Sequence, residues 1–516
     1  MEPSHYILMQ LLLLCAPLAT TIYAVDQARA PAPSAITLSF GPTTGPDKSI
    51  RFYNGLTSTL LQPDVTVIDG HQRTEVNVGK STRIQHRQVA TQGSYLLVRH
   101  AINGLESFDY LVEATDSVQF KYAKTIPFAT VTNRKHLPYD YTVENYVKAR
   151  FVKTAYSPLA KFLYPIYFYN PTKKAPTGLP LAQKVNRALA LKRAIKEEAY
   201  ADASTLLRAE NDLLDSLYTQ HLLSAKPYAF YKDKVKNLRA ILAIDTDRLT
   251  STQVQHLLAT SQYLTDGQPA TYRQLLLDVV ADKYFAEKAP ILDLKDGVNR
   301  DYRQVYSQLQ ASELFSERDR DYLLARELNR IGQAFSRADF LKFFTQFTHD
   351  VRDTTLVAAL RTQYTLEFEA NRSATMSVML TDKHGTQLTL DSLLKRHAGK
   401  VVYVDFWASW CEPCREALPH SLRLRDKLKG QEIVFVYLSI DKMLPPWRAA
   451  SGKEQLDAYP ENYLVVNYPA ADFFRQHKLT SIPRYMVFNK QGKLVHADAP
   501  SAESRQLASV LLNLAQ

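Results

Sequence analysis

Three successive stretches of this chain carry three different hydrophobic periodicities, so the chain cannot fold around one uniform core. From Ile36 to about Lys124, apolar residues alternate with polar or small ones, which is the period of a half-buried β strand. From Leu181 to Arg372, apolar residues recur at three- and four-residue steps, the spacing of an amphipathic helix. From Ser373 onwards, strand-like and helix-like runs alternate. A length of 516 residues agrees with several domains, because single cores rarely extend beyond about 250–300 residues.

The first stretch predicts an antiparallel β domain over residues 31–170. The run Ile36–Phe40 alternates apolar residues with small or polar ones. The dipeptide Asp69-Gly70 separates two further alternating runs and predicts a hairpin, because Asp-Gly favours a tight type I′ turn. The pattern does not decide between a sandwich and a barrel. The proline-rich segment 171–178 predicts a connector after this domain.

The second stretch predicts an all-α region over residues 179–372. Only three glycines and three prolines interrupt Leu181–Arg372, and about eight helices of ordinary length would fit there, broken near the prolines. No 34-residue repeat is recognisable, so a stacked solenoid is the less favoured arrangement. The aromatic and leucine stripes of this region predict a packed core rather than a ligand pocket.

The amino terminus predicts an export signal. Ile7–Ala19 is apolar over a length that suits a signal peptide and is shorter than the ~20 residues needed to cross a bilayer. Small residues follow, which predicts a signal peptide of residues 1–24, or of residues 1–30. No Lys or Arg precedes the apolar stretch, so a buried amino-terminal helix is the alternative. Lipidation at Cys15 is less favoured, because Leu14 stands where a small residue is expected.

The composition excludes some classes of partner. With 46% apolar and 22% charged residues, the chain has the make-up of a soluble globular protein. The 63 basic and 52 acidic residues leave a formal charge of +11, which could attract anionic surfaces. The basic residues are nevertheless spread along the chain and form no nucleic-acid module. We therefore expect no nucleic-acid partner, and peripheral or no membrane contact.

Three cysteines are present, and Cys15 falls within the predicted signal peptide. The other two, Cys411 and Cys414, stand alone. One pair cannot form a disulfide framework, and a four-thiolate zinc site needs a second pair. A pair left alone in so long a chain must be explained by its own chemistry or by chance.

The residues around this pair resemble a known family. Val404–Cys414, which reads Val-Asp-Phe-Trp-Ala-Ser-Trp-Cys-Glu-Pro-Cys, is similar to the active-site motif of thioredoxins. Ser481-Ile-Pro483 follows some seventy residues on, and an insert over residues 441–468 contains Trp447, as in the extracytoplasmic TlpA/ResA branch of that superfamily. The resemblance covers residues 373–516. It implies an α/β thioredoxin fold there and a protein-disulfide oxidoreductase activity.

The redox-active pair has a physical rationale as well. A cysteine at the amino end of a helix meets exposed N–H groups and the positive end of the helix dipole, which favour the thiolate. Cys411 is therefore predicted to be the nucleophile and Cys414, one helical turn on, the resolving thiol. Pro413 suits the first helical turn, where its missing N–H costs little. The resemblance implies that Asp405 exchanges a proton with the resolving thiol; a capping or pairing role is the alternative.

The substrate-binding surroundings are predicted from the same resemblance. It implies that Pro483 is a cis-proline opposite the disulfide and that Ile482 presents its backbone to an extended substrate. It also implies that Trp410 is an exposed wall of the site, whereas Glu412 either tunes the thiolate or simply favours the helix start. Some ResA-like proteins carry a functional Glu three residues after the second cysteine. Ala417 stands there instead, so that device is absent or shifted by one residue.

The leading hypothesis is an exported, periplasmic or envelope thiol-disulfide oxidoreductase that reduces protein disulfides. No nucleotide, flavin or metal motif is recognisable, so no cofactor is expected and electrons should come from an upstream protein donor. A disulfide oxidase or isomerase is the alternative within the same chemistry. A different class is also open: an envelope partner- or glycan-binding protein with an accessory redox domain.

Overall fold

The structure is a computed structural model that describes residues 34–43, 49–51, 57–59, 64–69, 72–76, 78, 81–102, 105–123, 126–151, 157–165, 181–260, 271–294, 297–364 and 377–516. The chain divides into two compact units, one that reaches Val357 and one that runs from Ala358 to Gln516. The predicted signal peptide, Cys15 and the connector 171–178 lie outside the described residues. No helix within the described ranges combines the length and apolarity needed to cross a membrane.

The first unit begins with a β sandwich. Its strands are β1 (Ser34–Phe40), β2 (Ser49–Arg51), β3 (Thr57–Thr59), β4 (Val65–Asp69), β5 (Gln72–Val76), β6 (Gln85–Thr91), β7 (Tyr95–Ala101), β8 (Ser107–Glu113), β9 (Ser117–Ala123) and β10 (Ile126–Val131). Two sheets have the strand orders β10-β9-β1-β6 and β5-β4-β7-β8, and β2 pairs with β3. Leu38 and Phe40 of one sheet share a core with Val98 and Tyr110 of the other, which is sandwich packing.

The predicted hairpin is present, because β4 and β5 pair antiparallel from Val65 to Val76. Gly70 of its turn lies outside the described residues. One pair differs from the antiparallel prediction: β1 and β9 run parallel, with Leu38 opposite Val118. Alternating burial is the same in parallel and antiparallel strands, so periodicity could not reveal the direction of this pair.

The helical prediction for residues 179–372 is confirmed, with one small exception, and two further helices, α1 and α2, lie within the predicted β domain 31–170. The helices are α1 (Val143–Phe151), α2 (Pro158–Leu163), α3 (Leu181–Thr219), α4 (Ala225–Asp245), α5 (Ser251–Thr260), α6 (Thr271–Tyr284), a 3-10 turn (Ala286–Lys288), α7 (Tyr302–Gln310), α8 (Glu317–Ala334), α9 (Arg337–Asp350) and α10 (Thr354–Gln363). A two-stranded hairpin of β11 (Ile291–Leu294) and β12 (Gly297–Arg300) interrupts them. Strands of four residues are too short for periodicity to reveal.

Helices of this region pack against the sandwich within the same unit. The Tyr231 hydroxyl on α4 donates to the backbone carbonyl of Asp109 on β8 at 2.9 Å. Lys234 on α4 is buried between Glu144 on α1 and Glu210 on α3, and forms ion pairs with both. Buried charges are costly unless paired, so these contacts hold the helices in register with one another.

The second unit has the predicted α/β order. Its elements are β13 (Met379–Thr381), β14 (Gln387–Thr389), α11 (Leu390–Arg396), β15 (Val401–Trp407), α12 (Glu412–Lys427), β16 (Ile433–Ser439), α13 (Leu444–Lys453), β17 (Asn462–Val465), α14 (Asp472–Gln476), β18 (Arg484–Phe488), β19 (Leu494–His496) and α15 (Arg505–Ala515). The seven strands form one sheet in the order β14-β13-β17-β16-β15-β18-β19. β15 runs parallel to β16 and antiparallel to β18.

β15 lies inside this sheet, between β16 and β18, and every one of its residues is buried. A strand with helices over both faces needs apolar residues throughout, which explains the continuous run in the sequence. The predicted insert contributes α13 and β17 after β16. Trp447 on α13 is 1% exposed, and its indole N–H donates to Asn462 Oδ1 at 3.4 Å, so the insert is part of the domain core.

Candidate active site

The two cysteines form a disulfide at the amino end of α12. Their Sγ atoms are 2.00 Å apart and their Cα atoms 5.3 Å apart. Cys411 is the residue that caps the helix, and its Sγ accepts a hydrogen bond from the backbone N–H of Cys414 at 3.3 Å. Pro413 lies in the first turn, as predicted. Cys411 is 6% exposed and Cys414 2%, so Cys411 is the more exposed residue of the two.

The helix start supplies the electrostatics that a nucleophilic thiolate needs. The first backbone N–H groups of a helix have no partner within it, and they carry the positive end of the dipole. Cys411 Sγ already accepts from one of these groups. A negative charge on this sulfur is therefore stabilised by the helix itself, whereas Cys414 lies deeper, within the first turn.

Asp405 is a buried acid on β15. Its side chain is 2% exposed, and its Oδ2 has no hydrogen-bond partner among the described residues. Its cross-strand neighbours are Tyr437 on β16 and Tyr485 on β18. Burial raises the pKa of Asp405 from 3.8 to about 8, because the charged carboxylate loses its hydration. Asp405 can therefore take up and release a proton near neutral pH.

The predicted cis-proline is present, since the Ile482–Pro483 peptide bond is cis. Arg484, the next residue, pairs with Phe406 on β15. The antiparallel register therefore places Ile482 and Pro483 at the sheet edge where β15 ends and leads to Cys411. Ile482 and Pro483 are half-buried, which leaves part of this segment open to a partner.

Trp410 is the most prominent apolar group at this edge, with 65% of its surface exposed. Glu412 and Pro413 beside it are also exposed. The side chain of Arg415 turns away and forms an ion pair with Glu454, which follows α13, at 2.6 Å. Trp is one of the residue types that most often anchor protein interfaces, so Trp410 is a candidate contact for a bound protein.

The carboxylates near the pair differ from the ResA-like pattern as expected. Ala417, three residues after Cys414, is buried. Glu416 is exposed to solvent on α12. The structure therefore places no carboxylate at the position where some ResA-like proteins carry a functional Glu.

One polar group at this edge escaped the sequence analysis. Asp441 follows β16 and its carboxylate accepts hydrogen bonds from Ser409 and Ser439. Burial raises the pKa of Asp441, and these hydrogen bonds oppose that rise. The sequence did contain a signal for this contact, because β15 and β16 are successive apolar runs. The carboxyl ends of adjacent parallel strands meet at one edge of a sheet, so the residues that follow the two strands can be expected to lie close together.

Comparison with known proteins agrees with this geometry. Residues 399–494 match the family model described as thioredoxin-like. The thiol-disulfide oxidoreductase ResA of Bacillus thuringiensis is 23% identical over 133 residues, which cover 26% of this chain and 72% of that protein. Thioredoxin 1 of Chlorobaculum tepidum is 41% identical over 54 residues, or 10% of this chain and 52% of that protein.

Among solved structures, the thioredoxin domain of a thiol-disulfide oxidoreductase from Bacteroides vulgatus is similar. It is 22% identical over 28% of this chain and 99% of that domain, with a TM-score of 0.24. The assignment rests on the family model and on the sequence relatives. The carboxy-terminal domain of this chain is therefore thioredoxin-like, and it is similar to the ResA thiol-disulfide oxidoreductases.

Proposed function

We propose that this protein reduces disulfide bonds of other proteins by dithiol–disulfide exchange through Cys411 and Cys414. The observation that carries the proposal is the disulfide at the amino end of α12, in the domain whose strand β15 holds the buried carboxyl of Asp405. The pair can store and release two electrons, and the helix start and the acid supply the two features that the exchange needs. No cofactor enters the reaction.

In the first step, the reduced Cys411 thiolate attacks one sulfur of the substrate disulfide. A bond forms between Cys411 Sγ and that sulfur, and the substrate S–S bond breaks. The second substrate sulfur leaves as a thiolate and takes a proton from solvent. Trp410 and the backbone of Ile482 bind the substrate segment on either side of the attacked sulfur, the latter by strand-like pairing.

In the second step, Cys414 attacks Cys411 Sγ and releases the second substrate thiolate. The Cys414 thiol must first lose its proton, and Asp405 is the base that accepts it because its pKa is raised towards neutrality. The products are the Cys411–Cys414 disulfide and two substrate thiols. An upstream protein dithiol returns two electrons and two protons to complete the cycle.

We further propose that the exchange takes place outside the cytoplasm, in the periplasm or cell envelope. The apolar segment Ile7–Ala19 with small residues after it supports export. The ResA relatives are thiol-disulfide oxidoreductases, which is the class of activity proposed for this protein. Cell fractionation tests this proposal, with the protein detected by antibody in the envelope and cytoplasmic fractions. Recovery of the protein in the cytoplasmic fraction with an intact amino terminus contradicts the proposal.

Insulin reduction tests the activity itself. The full-length protein, kept reduced by dithiothreitol, is expected to accelerate precipitation of the insulin B chain well beyond dithiothreitol alone. Acceleration with reduced but not with alkylated protein supports the proposal. A rate equal to that of dithiothreitol alone contradicts it.

Replacing Trp410 with alanine is expected to weaken substrate binding without unfolding the domain. Buried aromatic anchors at interfaces are typically worth ~2 kcal/mol or more, so kcat/KM for insulin should fall about 30-fold or more, mainly through KM. Removal of an exposed side chain should change the free energy of unfolding by less than about 0.5 kcal/mol. An unchanged KM would exclude Trp410 from the binding surface.

A further inference from the structure

The carboxylate of Asp441 makes three hydrogen bonds at the edge of the sheet that carries the active site. Its Oδ1 accepts from the Ser409 hydroxyl at 2.6 Å. Its Oδ2 accepts from the Ser409 backbone N–H at 2.9 Å and from the Ser439 hydroxyl at 2.7 Å. Both hydrogen-bond donors of Ser409, its hydroxyl and its backbone N–H, are therefore bound by a single side chain.

These hydrogen bonds have the geometry of bonds to an ionised carboxylate. Hydroxyl donors lie about 2.5–2.7 Å from a charged acceptor, closer than from a neutral one. Asp441 is 5% exposed, and no ion pair to it is present among the described residues of this unit. The three donors are what compensates this buried charge, so moving Ser409 away would leave the carboxylate incompletely satisfied.

The segment that Asp441 binds is the loop between β15 and α12. The loop is tied to β16 at its start, where Ile440 N–H donates to the Trp407 carbonyl at 2.9 Å. Further on, Cys411 N–H donates to the Ala408 carbonyl at 3.1 Å. Trp410, between these points, is mostly exposed, so its direction depends on the backbone of Ser409 before it.

We propose that Asp441 is a positioning residue that holds Ser409 and thereby directs Trp410 and Cys411 towards a protein substrate. The inference rests on the proposed function and adds a determinant of substrate choice to it. Exchange with a protein disulfide requires that Trp410 is positioned to bind the substrate, whereas exchange with a small disulfide requires only access to Cys411 Sγ. Release of the loop should therefore slow exchange with proteins more than exchange with small molecules.

Two substitutions separate geometry from charge. In Asp441→Asn, the amide oxygen can accept from Ser409 N–H and from the Ser439 hydroxyl, while the amide N–H₂ donates to the rotated Ser409 hydroxyl. Asp441→Ala removes all three bonds. A matched control is Asp382→Ala, because Asp382 Oδ1 also accepts two backbone N–H bonds, from His384 and Thr386, in the turn between β13 and β14.

The experiment compares second-order rate constants of the reduced full-length protein with insulin and with dithiobis(nitrobenzoate). We expect the ratio of the insulin rate to the small-disulfide rate to fall about tenfold in Asp441→Ala. It should change less than twofold in Asp441→Asn and in Asp382→Ala. A ratio that stays within twofold in Asp441→Ala overturns the proposal, as does a fall in Asp441→Asn equal to that in Asp441→Ala.

A second readout does not depend on activity. The chain has three tryptophans, and Trp407 and Trp447 are buried, so changes in fluorescence anisotropy report mainly on Trp410. Anisotropy should drop in Asp441→Ala and stay at the wild-type value in Asp441→Asn; equal anisotropy in all three proteins overturns the proposal. If the wild type exchanges with neither disulfide, the proposed function fails, and the anisotropy still decides whether Asp441 holds the loop.

Discussion

Replacing Cys411 with serine is expected to lower the rate of insulin reduction by at least about 1000-fold, because the hydroxyl cannot replace the thiolate as nucleophile. The side chain at the amino end of α12 is the one expected to attack, since Cys411 is the more exposed residue and its sulfur accepts a hydrogen bond from a helix N–H. The measurement is the initial rate with dithiothreitol as the electron source, compared with dithiothreitol alone.

Cys414→Ser is the matched control for that variant. Cys411 remains free to attack, but the mixed disulfide with the substrate can no longer be resolved internally. We expect a covalent complex that survives denaturing, non-reducing electrophoresis in Cys414→Ser and is absent from Cys411→Ser. The opposite pattern would exchange the roles of the two cysteines.

Asp405→Asn is expected to change how the stability of the domain depends on pH. Folded Asp405, with its pKa raised to about 8, keeps its proton where the unfolded carboxyl has already lost it. Between pH 3.8 and about pH 8, the folded state therefore binds more protons than the unfolded state. The free energy of unfolding falls as the pH rises through this range. Between pH 5 and pH 7 this loss is about 3 kcal/mol, and Asn, which does not titrate, avoids it.

Denaturant unfolding at the two pH values measures this effect. All three tryptophans lie in the carboxy-terminal domain, so their fluorescence follows that domain within the full chain. The free energy of unfolding of Asp405→Asn minus that of the wild type should grow by about 3 kcal/mol from pH 5 to pH 7. A constant difference would show that Asp405 does not bind a proton on folding and could not act as the proposed base.

Much of the carboxy-terminal domain could be predicted, because its local signals agree with one another. The apolar run Val401–Trp407 has the composition of a strand buried on both faces, and it forms β15, which lies inside the sheet with every residue buried. Pro483 could be identified as cis from the motif around it, not from its own residue type.

What the sequence could not supply are contacts between distant segments. Ser409 and Asp441 are 32 residues apart, and only the pairing of β15 with β16 brings them together. In the first unit, the parallel pairing of β1 with β9 and the packing of Lys234 between Glu144 and Glu210 are of the same kind. Periodicity reports which face of an element is buried, but not which partner covers it.

The reduction potential of the Cys411–Cys414 pair tests the central claim most directly. The full-length protein is equilibrated in dithiothreitol and glutathione buffers, and the fraction of bridged pair is measured by thiol alkylation and mass spectrometry. A protein that reduces disulfides should have a two-electron midpoint near the ~−270 mV of thioredoxin. A midpoint near the ~−120 mV of DsbA, or a pair that never bridges, would contradict the account.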